Sequence, residues 1–448
     1  MMKRLLQAGW WLSAGLGLAL AAMLLTLPVA AQAEGGGLFL SKRHKAPNKT
    51  AEDAKTPAPH ASQPPIFTIP VEPLGFYPPG AYYQGLRASL VSLDFLDENR
   101  LLFTFRAPGL MHRDASDGDE RQIRALVLVL PLGNVDAEEV WTLHDQARYL
   151  WMLNDGHFLV RDRDTLKQGD DTLALKPLLH FPGPLLWLEM DPTQQFIVTD
   201  SKEPVAAKPQ SGDVPSPATA EASVSVDGQP ASAHPPIVLR ILHRTSGQVM
   251  LVSRVRTMVH LPINSDGYLE TLRGRAAEWL LNLNYFGGGS RILGKVDSVC
   301  TPSIEFISQH EALASTCDPH GGWGLVAMST DGRRLWDVES PPTQVWPRLV
   351  MAPNGLRLAR ETLVVSHPVD AYSPLSFDDV KGQLVEVYDA ATGRIALKAQ
   401  ASPVLDGGGN VAISPSGRRV AVIDGGAIQV YELPAPPPLP ASAQHSAP

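Results

Sequence analysis

Apolar and polar residues alternate in short runs along most of the chain, and tight turns interrupt these runs. In the run 384–388, for example, Val385 and Val387 share one face of a strand, while Glu386 and Tyr388 share the other. Such a run has one apolar face that can pack against a core. The pattern predicts an all-β fold built from short strands.

One kind of turn recurs seven times, as an apolar residue, a tight polar turn and a second apolar run. We call the apolar residues the anchors; they are Phe95, Met152, Met190, Ile263, Ile307, Met351 and Ile413. In five turns the fourth residue after the anchor is Gly or Asn, which adopt a left-handed conformation easily, as a bulged three-residue hairpin loop requires. The other two turns have Gln194 and Glu311 there. A second kind of turn, with glycine at the bend, alternates with the first, at Gly133, Gly247, 287–289, Gly332 and Gly393.

The spacing of the anchors predicts the architecture. Successive anchors are 57, 38, 73, 44, 44 and 62 residues apart, and the two longest intervals contain insertions. Repeats of about 40 to 50 residues with four short strands each are typical of β-propeller blades. The sequence therefore predicts a seven-bladed β-propeller of four-stranded antiparallel blades over residues 66–433.

Three motifs carry a resemblance to known repeats: ISPSGRRVAVI (413–423), YDAATGR (388–394) and STDGRRLWD (329–337), the last with the pair Trp336-Asp337. On these motifs the chain resembles bacterial β-propeller repeat proteins of the WD40 and YVTN kind, from about Leu90 to Leu433. The resemblance implies the fold and says little about function.

The seventh repeat is one strand short. After the run 413–423, only 427–433 can form a further strand before a Pro-rich tail. A propeller must close its ring, so we expect the segment 66–71 to supply the missing strand.

The N-terminus has the features of an export signal. Lys3 and Arg4 precede an apolar stretch, 16–29, and the small residues Ala31 and Ala33 favour cleavage before Glu34. This predicts a signal peptide over 1–33, a periplasmic or secreted protein, and no membrane span after cleavage. The alternative is an uncleaved anchor, because the stretch 10–31 reaches the roughly 20 residues that span a bilayer. The helix-breaking Pro28 favours cleavage.

Composition predicts three disordered segments and excludes one class of partner. The segments 34–65, 201–236 and 434–448 are rich in Pro, Ala or small polar residues, and they contain few large apolar side chains. The chain has 38 basic and 46 acidic residues, and removal of Lys3 and Arg4 leaves a formal charge of −10. Such an acidic product is a poor candidate for binding nucleic acid.

The two cysteines, Cys300 and Cys317, flank the fifth turn, and an exported chain can oxidise them. If the turn has a two-residue loop, the cysteines lie opposite each other. If it has a three-residue loop, they are out of register by roughly 10 Å, too far for a disulfide. Both alternatives fit the sequence.

The longer insertions, 107–122, 161–171, 201–236 and 366–382, all fall in one class of connection, so they should elaborate one face of the propeller. Loops on a rigid scaffold commonly carry function. The candidate binding residues on this face are His112, Arg113, Asp114, Arg161, Asp162, His320, Tyr372 and Asp378. The acidic run 114–120 fits a solvated loop better than a calcium loop, since Ser116 and Gly118 replace typical ligands. The alternation over 161–164 predicts a surface ion-pair ladder.

Motifs for enzymes are incomplete. The stretch His310-Glu311-Ala312-Leu313-Ala314 begins like a zinc-protease helix but lacks the second histidine, and no G-x-S-x-G motif is present. We therefore predict no metal and no cofactor. Two classes of function remain: an exported, non-catalytic scaffold that binds a protein, peptide or glycan through its loop-rich face, or a propeller enzyme, lactonase-like or quinone-dependent, with its site at the central channel.

Overall fold

The computed structural model describes residues 61–77, 91–114, 118–144, 148–202, 237–319, 321–370, 375–405 and 407–438, without the side chains of 108–114, 118–120 and 377. These residues belong to one compact unit, Ala58–Pro448. Their strands form seven separate antiparallel sheets. The predicted seven-bladed β-propeller is therefore confirmed. The predicted signal peptide, most of the predicted linker, residues 203–236 and residues 439–448 lie outside the described residues.

The blades follow one another along the chain. The strands of blades 1 to 3 are β2 (Val91–Phe95), β3 (Arg100–Asp114), β4 (Gly118–Val129) and β5 (Asn134–Leu143); β6 (Leu150–Met152), β7 (Phe158–Asp162), β8 (Thr165–Gly169) and β9 (Lys176–His180); and β10 (Leu185–Met190), β11 (Phe196–Lys202), β12 (Ile237–His243) and β13 (Val249–Val255). Those of blades 4 and 5 are β14 (Gly267–Arg273), β15 (Glu278–Tyr285) and β16 (Ser290–Asp297); and β17 (Ser303–Ser308), β18 (Glu311–Cys317), β19 (Trp323–Ser329) and β20 (Arg334–Glu339). Those of blades 6 and 7 are β21 (Gln344–Met351), β22 (Arg357–Val365), β23 (Val380–Asp389) and β24 (Ile395–Ala401); and β25 (Val411–Ile413), β26 (Arg419–Asp424), β27 (Ala427–Glu432) and β1 (Phe67–Pro70).

Two short 3₁₀ helices, Glu72–Leu74 and Phe377–Asp379, complete the regular structure of the described chain. No helix among the described residues is long and apolar enough to cross a membrane.

The first strand of each blade lies innermost. In each blade, the connections between strands one and two and between strands three and four lie at one end, which we call the hairpin face. The connection between strands two and three lies at the opposite end, which we call the insertion face. The predicted insertions 107–122, 201–236 and 366–382 span the connection between the second and third strands of their blades, as expected, whereas 161–171 extends through the third strand of blade 2.

Blade 4 has three strands instead of the predicted four. Its innermost strand is reduced to a single bridge between Ile263 and Tyr268. Pro262 has no N–H to donate to a ladder. The N–H of Val259 donates instead to the carboxylate of Asp200 on blade 3, at 2.8 Å. These two residues explain why a regular strand does not form here.

The ring closes with the N-terminal strand. β1 pairs antiparallel with β27 as the outermost strand of blade 7, with Phe67 opposite Val430 and Pro70 opposite Ala427. Ile69 is buried in this sheet. The segment 66–71 thus occupies the place predicted for the closing strand.

The hydrophobic core consists of seven layers, one between each pair of neighbouring blades, and a smaller cluster at blade 6 that includes Val345 and Leu363. The largest layer packs blade 7 against blade 1 and contains Ile69, Leu93, Phe103 and Ile428. Six further clusters join the other pairs in order around the ring. Because no single core exists, polar groups that link neighbouring blades add to what holds the ring together.

Arg357 on β22 is such a link, between blades 6 and 7. Its side chain is 1% exposed, and Nε donates to Asp389 at 3.0 Å. Nη1 donates to the carbonyl of Gly417, and Nη2 donates to the carbonyl of Pro434, both at 2.8 Å. One buried guanidinium therefore ties blade 6 to a turn of blade 7 and to the segment after β27.

The turns agree with the predicted conformations only in part. Gly156, Gly355 and Gly417 have φ of 79°, 70° and 71°, but Asn99 and Gly267 do not have positive φ, so the prediction for these two is wrong. Gln194 has φ of 59°. Its amide explains the exception, because Oε1 accepts the N–H of Asn154 and Nε2 donates to Met152, both on the neighbouring blade. The bends predicted at Gly133, Gly247, Gly332 and Gly393 all have positive φ.

Two predicted loops are sheet instead. Residues 107–122 extend β3 and β4 into a long hairpin, in which Met111 lies opposite Arg121. Residues 161–171 contain β8, and a tight turn at 163–164 joins it to β7.

A disulfide joins Cys300 and Cys317, with 5.6 Å between the Cα atoms. The turn between β17 and β18 has a two-residue loop, because Ser308 pairs with Glu311, and a bulge precedes it. This arrangement is close to the two-residue alternative that the sequence left open.

Glu311, at the start of β18, is expected to make stability depend on pH. It is 4% exposed, Oε2 has no hydrogen-bond partner, and burial raises its pKa from 4.5 to about 7. Because the folded state then holds the proton more tightly than the unfolded chain, stability should fall as the pH rises from about 4.5 to about 7. Glu311→Gln should gain up to about 3 kcal/mol at pH 8 and little at pH 5.

Denaturant unfolding of both proteins at pH 5 and pH 8 measures this effect. Glu339→Gln, an exposed glutamate on the outer strand of the same blade, is the control. An equal gain at both pH values would contradict the prediction.

Candidate functional site

Six of the eight candidate residues from the sequence are not shown to form a site. His112, Arg113 and Asp114 lie on the extended β3, opposite Glu120, Asp119 and Gly118 of β4, and their side chains are not described. Asp378 is exposed in the second 3₁₀ helix. His320 and Tyr372 lie outside the described residues.

Arg161 and Asp162 both contact other residues of the protein, and the predicted surface ladder is wrong for Arg161, which is buried. Arg161 is 2% exposed, Nη1 donates to the carbonyl of Leu186 on blade 3 at 2.8 Å, and the guanidinium lies 5.9 Å from the ring centre of Trp151. Asp162 accepts Lys167 Nζ at 2.7 Å and contacts His144 Nδ1 at 3.0 Å. The first four residues of β7, Phe158 to Arg161, are all buried, so both faces of this strand are covered by protein.

Charged side chains gather instead at the innermost strands. Six of the seven innermost segments carry one within four residues before the anchor: Asp94, Arg148, Glu189, His260, Glu305 and Arg348. Together with Glu361 on β22, we call them the channel cluster. No local sequence motif marks these residues, because they come singly from different blades.

Arg148 lies near the propeller axis. Its guanidinium interacts electrostatically with Asp94 of blade 1, Glu189 of blade 3, Glu305 of blade 5 and Arg348 of blade 6. Only a position in the central channel is close to four different blades at once. Enclosure by protein lowers the pKa of Arg148, although the side chain keeps solvent-accessible surface. The channel is therefore lined by protein and open to molecules of the size of water.

The Arg148 side chain is held in one orientation. Nε donates to the carbonyl of Leu150 at 3.2 Å, and the guanidinium lies 5.5 Å from the ring centre of Trp151. Among the described residues, neither Nη nitrogen has a hydrogen-bond acceptor. A fixed guanidinium thus presents two free donor groups to the channel.

His260 and Glu189 form an ion pair beside it. His260 Nδ1 lies 3.0 Å from Glu189 Oε2, and Nε2 lies 2.9 Å from the carbonyl oxygen of Ile304. Burial alone would lower the pKa of His260. The close contact with Glu189 and the charges of Glu189 and Glu305 raise this pKa to about 9. Both ring nitrogens face acceptors, so the imidazole is protonated near neutral pH.

Two further carboxylates lack a full complement of hydrogen bonds. Burial, and then the charge of Glu189, raise the pKa of Glu305 to about 7, and among the described residues no group donates a hydrogen bond to it. Burial raises the pKa of Asp94 to about 6, against the 2.6 Å hydrogen bond from the Ser92 hydroxyl. Both carboxylates can accept further donors.

Glu361 faces Arg348 on the other side of the channel cluster. Glu361 is 2% exposed, Oε1 has no hydrogen-bond partner, and burial raises its pKa to about 7 against the opposing charge of Arg348. Gly408, with φ of 70°, passes close by, and a Cβ there would meet Glu361 Oε2 at 2.9 Å. A residue with a side chain at 408 would crowd this pair.

Backbone irregularities occur at the innermost strands of blades 3 and 6. The register of β10 shifts between Leu185 and Trp187, and that of β21 shifts between Val345 and Arg348. Within the second bulge, Trp346 has φ of 51°, which is costly for a bulky residue. Bulges change the direction of side chains and are common next to functional sites. The first bulge precedes Glu189, and the second lies directly before Arg348.

The described residues contain no group of three or more His, Cys, Asp or Glu side chains placed to hold a metal ion.

In sequence, no protein-family model and no curated protein matches the chain. Membership of the WD40 or YVTN families therefore stays a prediction. The solved structures with a similar fold include an acylaminoacyl peptidase of Pyrococcus horikoshii, at 9% identity and a TM-score of 0.40 over 78% of this chain and 53% of that one. The match thus spans about half of that enzyme.

Two other similar structures are Sqt1 of Chaetomium thermophilum bound to the N-terminus of the ribosomal protein L10, and TolB of Acinetobacter baumannii. The first is 12% identical with a TM-score of 0.38, over 78% of this chain and 98% of that one. The second is 14% identical with a TM-score of 0.33, over 72% and 74%. At these identities the likeness concerns the propeller fold alone.

Proposed function

We propose that this protein is an exported, non-catalytic binding propeller that holds part of a protein, peptide or glycan in its channel cluster, entered from the insertion face. The observation that supports the proposal is a set of charged groups around the channel with unused hydrogen-bonding capacity, namely the solvent-accessible Nη groups of Arg148 and the carboxyl groups of Glu305 and Glu361. Burial of Glu361 Oε1 without a partner is costly, and the Nη groups of Arg148 are accessible to a solute, so a polar ligand can supply partners to these groups.

The insertion face is the favoured entrance because the innermost strands begin there. Both bulges lie in the first half of their strands, nearest this face. Trp187, directly after the first bulge, is 37% exposed and lies 6.2 Å from the His260 ring. Exposed aromatic residues beside a polar site commonly contribute contact area to a ligand.

A second candidate function is catalysis at the same place. A carboxyl group with a pKa of about 7 suits general acid–base chemistry at neutral pH, and Glu305 meets this condition next to the Glu189–His260 pair. A propeller enzyme would convert the captured molecule. Recovery of the ligand in changed form after incubation would favour this candidate.

The test compares ligand capture by the mature protein and two variants. Each protein is incubated with envelope extract separated into protein, peptide and glycan fractions, desalted, and denatured, and the released molecules are identified by mass spectrometry. We expect Glu305→Gln to retain at least about tenfold less ligand, since a hydrogen bond to a charged group contributes about 1.5–3 kcal/mol. Glu339→Gln, on the outermost strand of the same blade, should retain as much as the wild type.

Equal retention by Glu305→Gln and the wild type would place the ligand elsewhere. Absence of a specifically retained molecule in every fraction would reject the binding function.

A further inference from the structure

We propose that the ligand group inside the channel is a carboxylate bound by Arg148, with an amine or hydroxyl donor next to it bound by Glu305 and Asp94. The chemical class is therefore an amino acid or a hydroxy acid. This inference rests on the proposed function and adds the chemistry of the ligand.

The geometry of Arg148 favours an anion. Its Nε atom is used by the Leu150 carbonyl, and the Trp151 ring fixes the position of the guanidinium, so the two Nη groups point in a defined direction without an acceptor among the described residues. Two parallel N–H groups match the two oxygens of a carboxylate. Binding such a group requires little reorganisation of the side chain.

The surrounding charges favour a carboxylate over a phosphate. Three acidic residues, Asp94, Glu189 and Glu305, interact with Arg148. The nearby cation His260 is already paired with Glu189. A dianionic phosphate would meet strong repulsion from these carboxylates. A single negative charge on a planar group meets less, and Arg348 adds further positive charge near Arg148.

The unused acceptor capacity of the same acidic residues favours a ligand with a hydrogen-bond donor. Glu305 accepts no hydrogen bond from the described residues, and Asp94 accepts one, from Ser92. Both interact electrostatically with Arg148, so a group bound by the guanidinium lies within the field of these two carboxyl groups. A ligand with an amine or hydroxyl beside its carboxylate satisfies the guanidinium and the acceptors together.

Isothermal titration calorimetry of the full mature protein tests the proposal with defined compounds. The panel contains the twenty L-amino acids, L-lactate, D-glucuronate and D-galacturonate at pH 7.5, together with the amide of every acid that binds and inorganic phosphate. We expect at least one acid to bind and its amide to bind at least about tenfold more weakly. Comparison of amino acids with hydroxy acids identifies the donor.

Variants assign the binding to Arg148. Arg148→Gln should weaken the acid by about 10- to 100-fold, and Arg148→Lys, which keeps the charge but loses the paired donors, should fall between. Arg254→Gln, exposed on the outer strand β13, is the matched control and should bind as the wild type does. Melting curves check that each variant folds, and the acid–amide comparison on the wild type does not depend on them.

Three results would overturn the inference: no acid binds at up to about 20 mM, an amide binds as well as its acid, or Arg148→Gln binds unchanged. Tighter binding of phosphate than of every acid would also overturn it. If the capture experiment yields a ligand that depends on Glu305 while these acids fail, the proposed function stands and only this assignment of the ligand class is wrong.

Discussion

A chain that starts at Glu72 should melt at least about 10 °C below one that starts at Ala58, because it lacks β1. The strand contributes four backbone pairs with β27 and the buried side chain of Ile69, and Val71 directly after it is also buried. Burial of each such side chain contributes about 1.5–3 kcal/mol, and each backbone hydrogen bond about 0.5–1.5 kcal/mol. For a domain of this size, 1 kcal/mol shifts the melting temperature by about 2–4 °C.

A pair of substitutions separates the strand's side chains from its backbone. Ile69→Asp places a charge in the layer between blades 7 and 1, and it should lower the melting temperature strongly. Thr68→Asp changes the exposed neighbouring position on the same strand and should have little effect. Differential scanning calorimetry of the two truncated and the two substituted proteins makes the comparison, and equal melting temperatures for both chain lengths would reject β1 as the closing strand.

Replacement of Arg357 by leucine should destabilise the protein by about 3–5 kcal/mol, because it leaves buried polar groups without partners. Asp389 would lose its closest cation, and the carbonyls of Gly417 and Pro434 would each lose a donor. Arg394 also contacts Asp389, at 3.3 Å, but it is largely exposed and cannot replace the buried guanidinium. The loss should appear as a lower denaturant midpoint.

The controls for Arg357 use the same type of residue. Arg357→Lys keeps the charge but cannot reach two carbonyls and a carboxylate together, so we expect an intermediate loss. Arg418→Leu removes an exposed arginine whose contact with Glu432 is 3.5 Å, and it should cost less than about 1 kcal/mol. Similar losses for Arg357→Leu and Arg418→Leu would show that the link between blades 6 and 7 contributes no more than a surface ion pair.

The repeat pattern was sufficient to predict the fold. Apolar alternation and turn glycines such as Gly355 and Gly417 report local strand and hairpin geometry, which the sequence encodes within a few residues. The count of repeats then determines the number of blades, and the missing strand of the seventh repeat indicates how the ring closes. The fourth blade departs from the pattern because Pro262 and the bond from Val259 to Asp200 act on a single strand.

The channel cluster could not be recognised in the same way. Its members extend along the sequence from Asp94 to Glu361, and no motif links Arg148 to Glu305, which are 157 positions apart. One signal was present, the charged residue shortly before almost every anchor, where a fully buried strand would have an apolar side chain. The predicted binding residues were placed in loops instead. Arg161 is one of them, and its charge lies inside the protein between two blades.

Closure through β1 also affects the order in which the chain can acquire its structure. Among the strands, β1 is synthesised first and β27 last, so β1 cannot pair in its sheet until the final hairpin has been synthesised. The first six blades can assemble in sequence as they emerge, each against the one before. The seventh cannot, and the ring becomes topologically complete only after synthesis of the whole domain has ended. Until then, the apolar face of the first strand is available to chaperones.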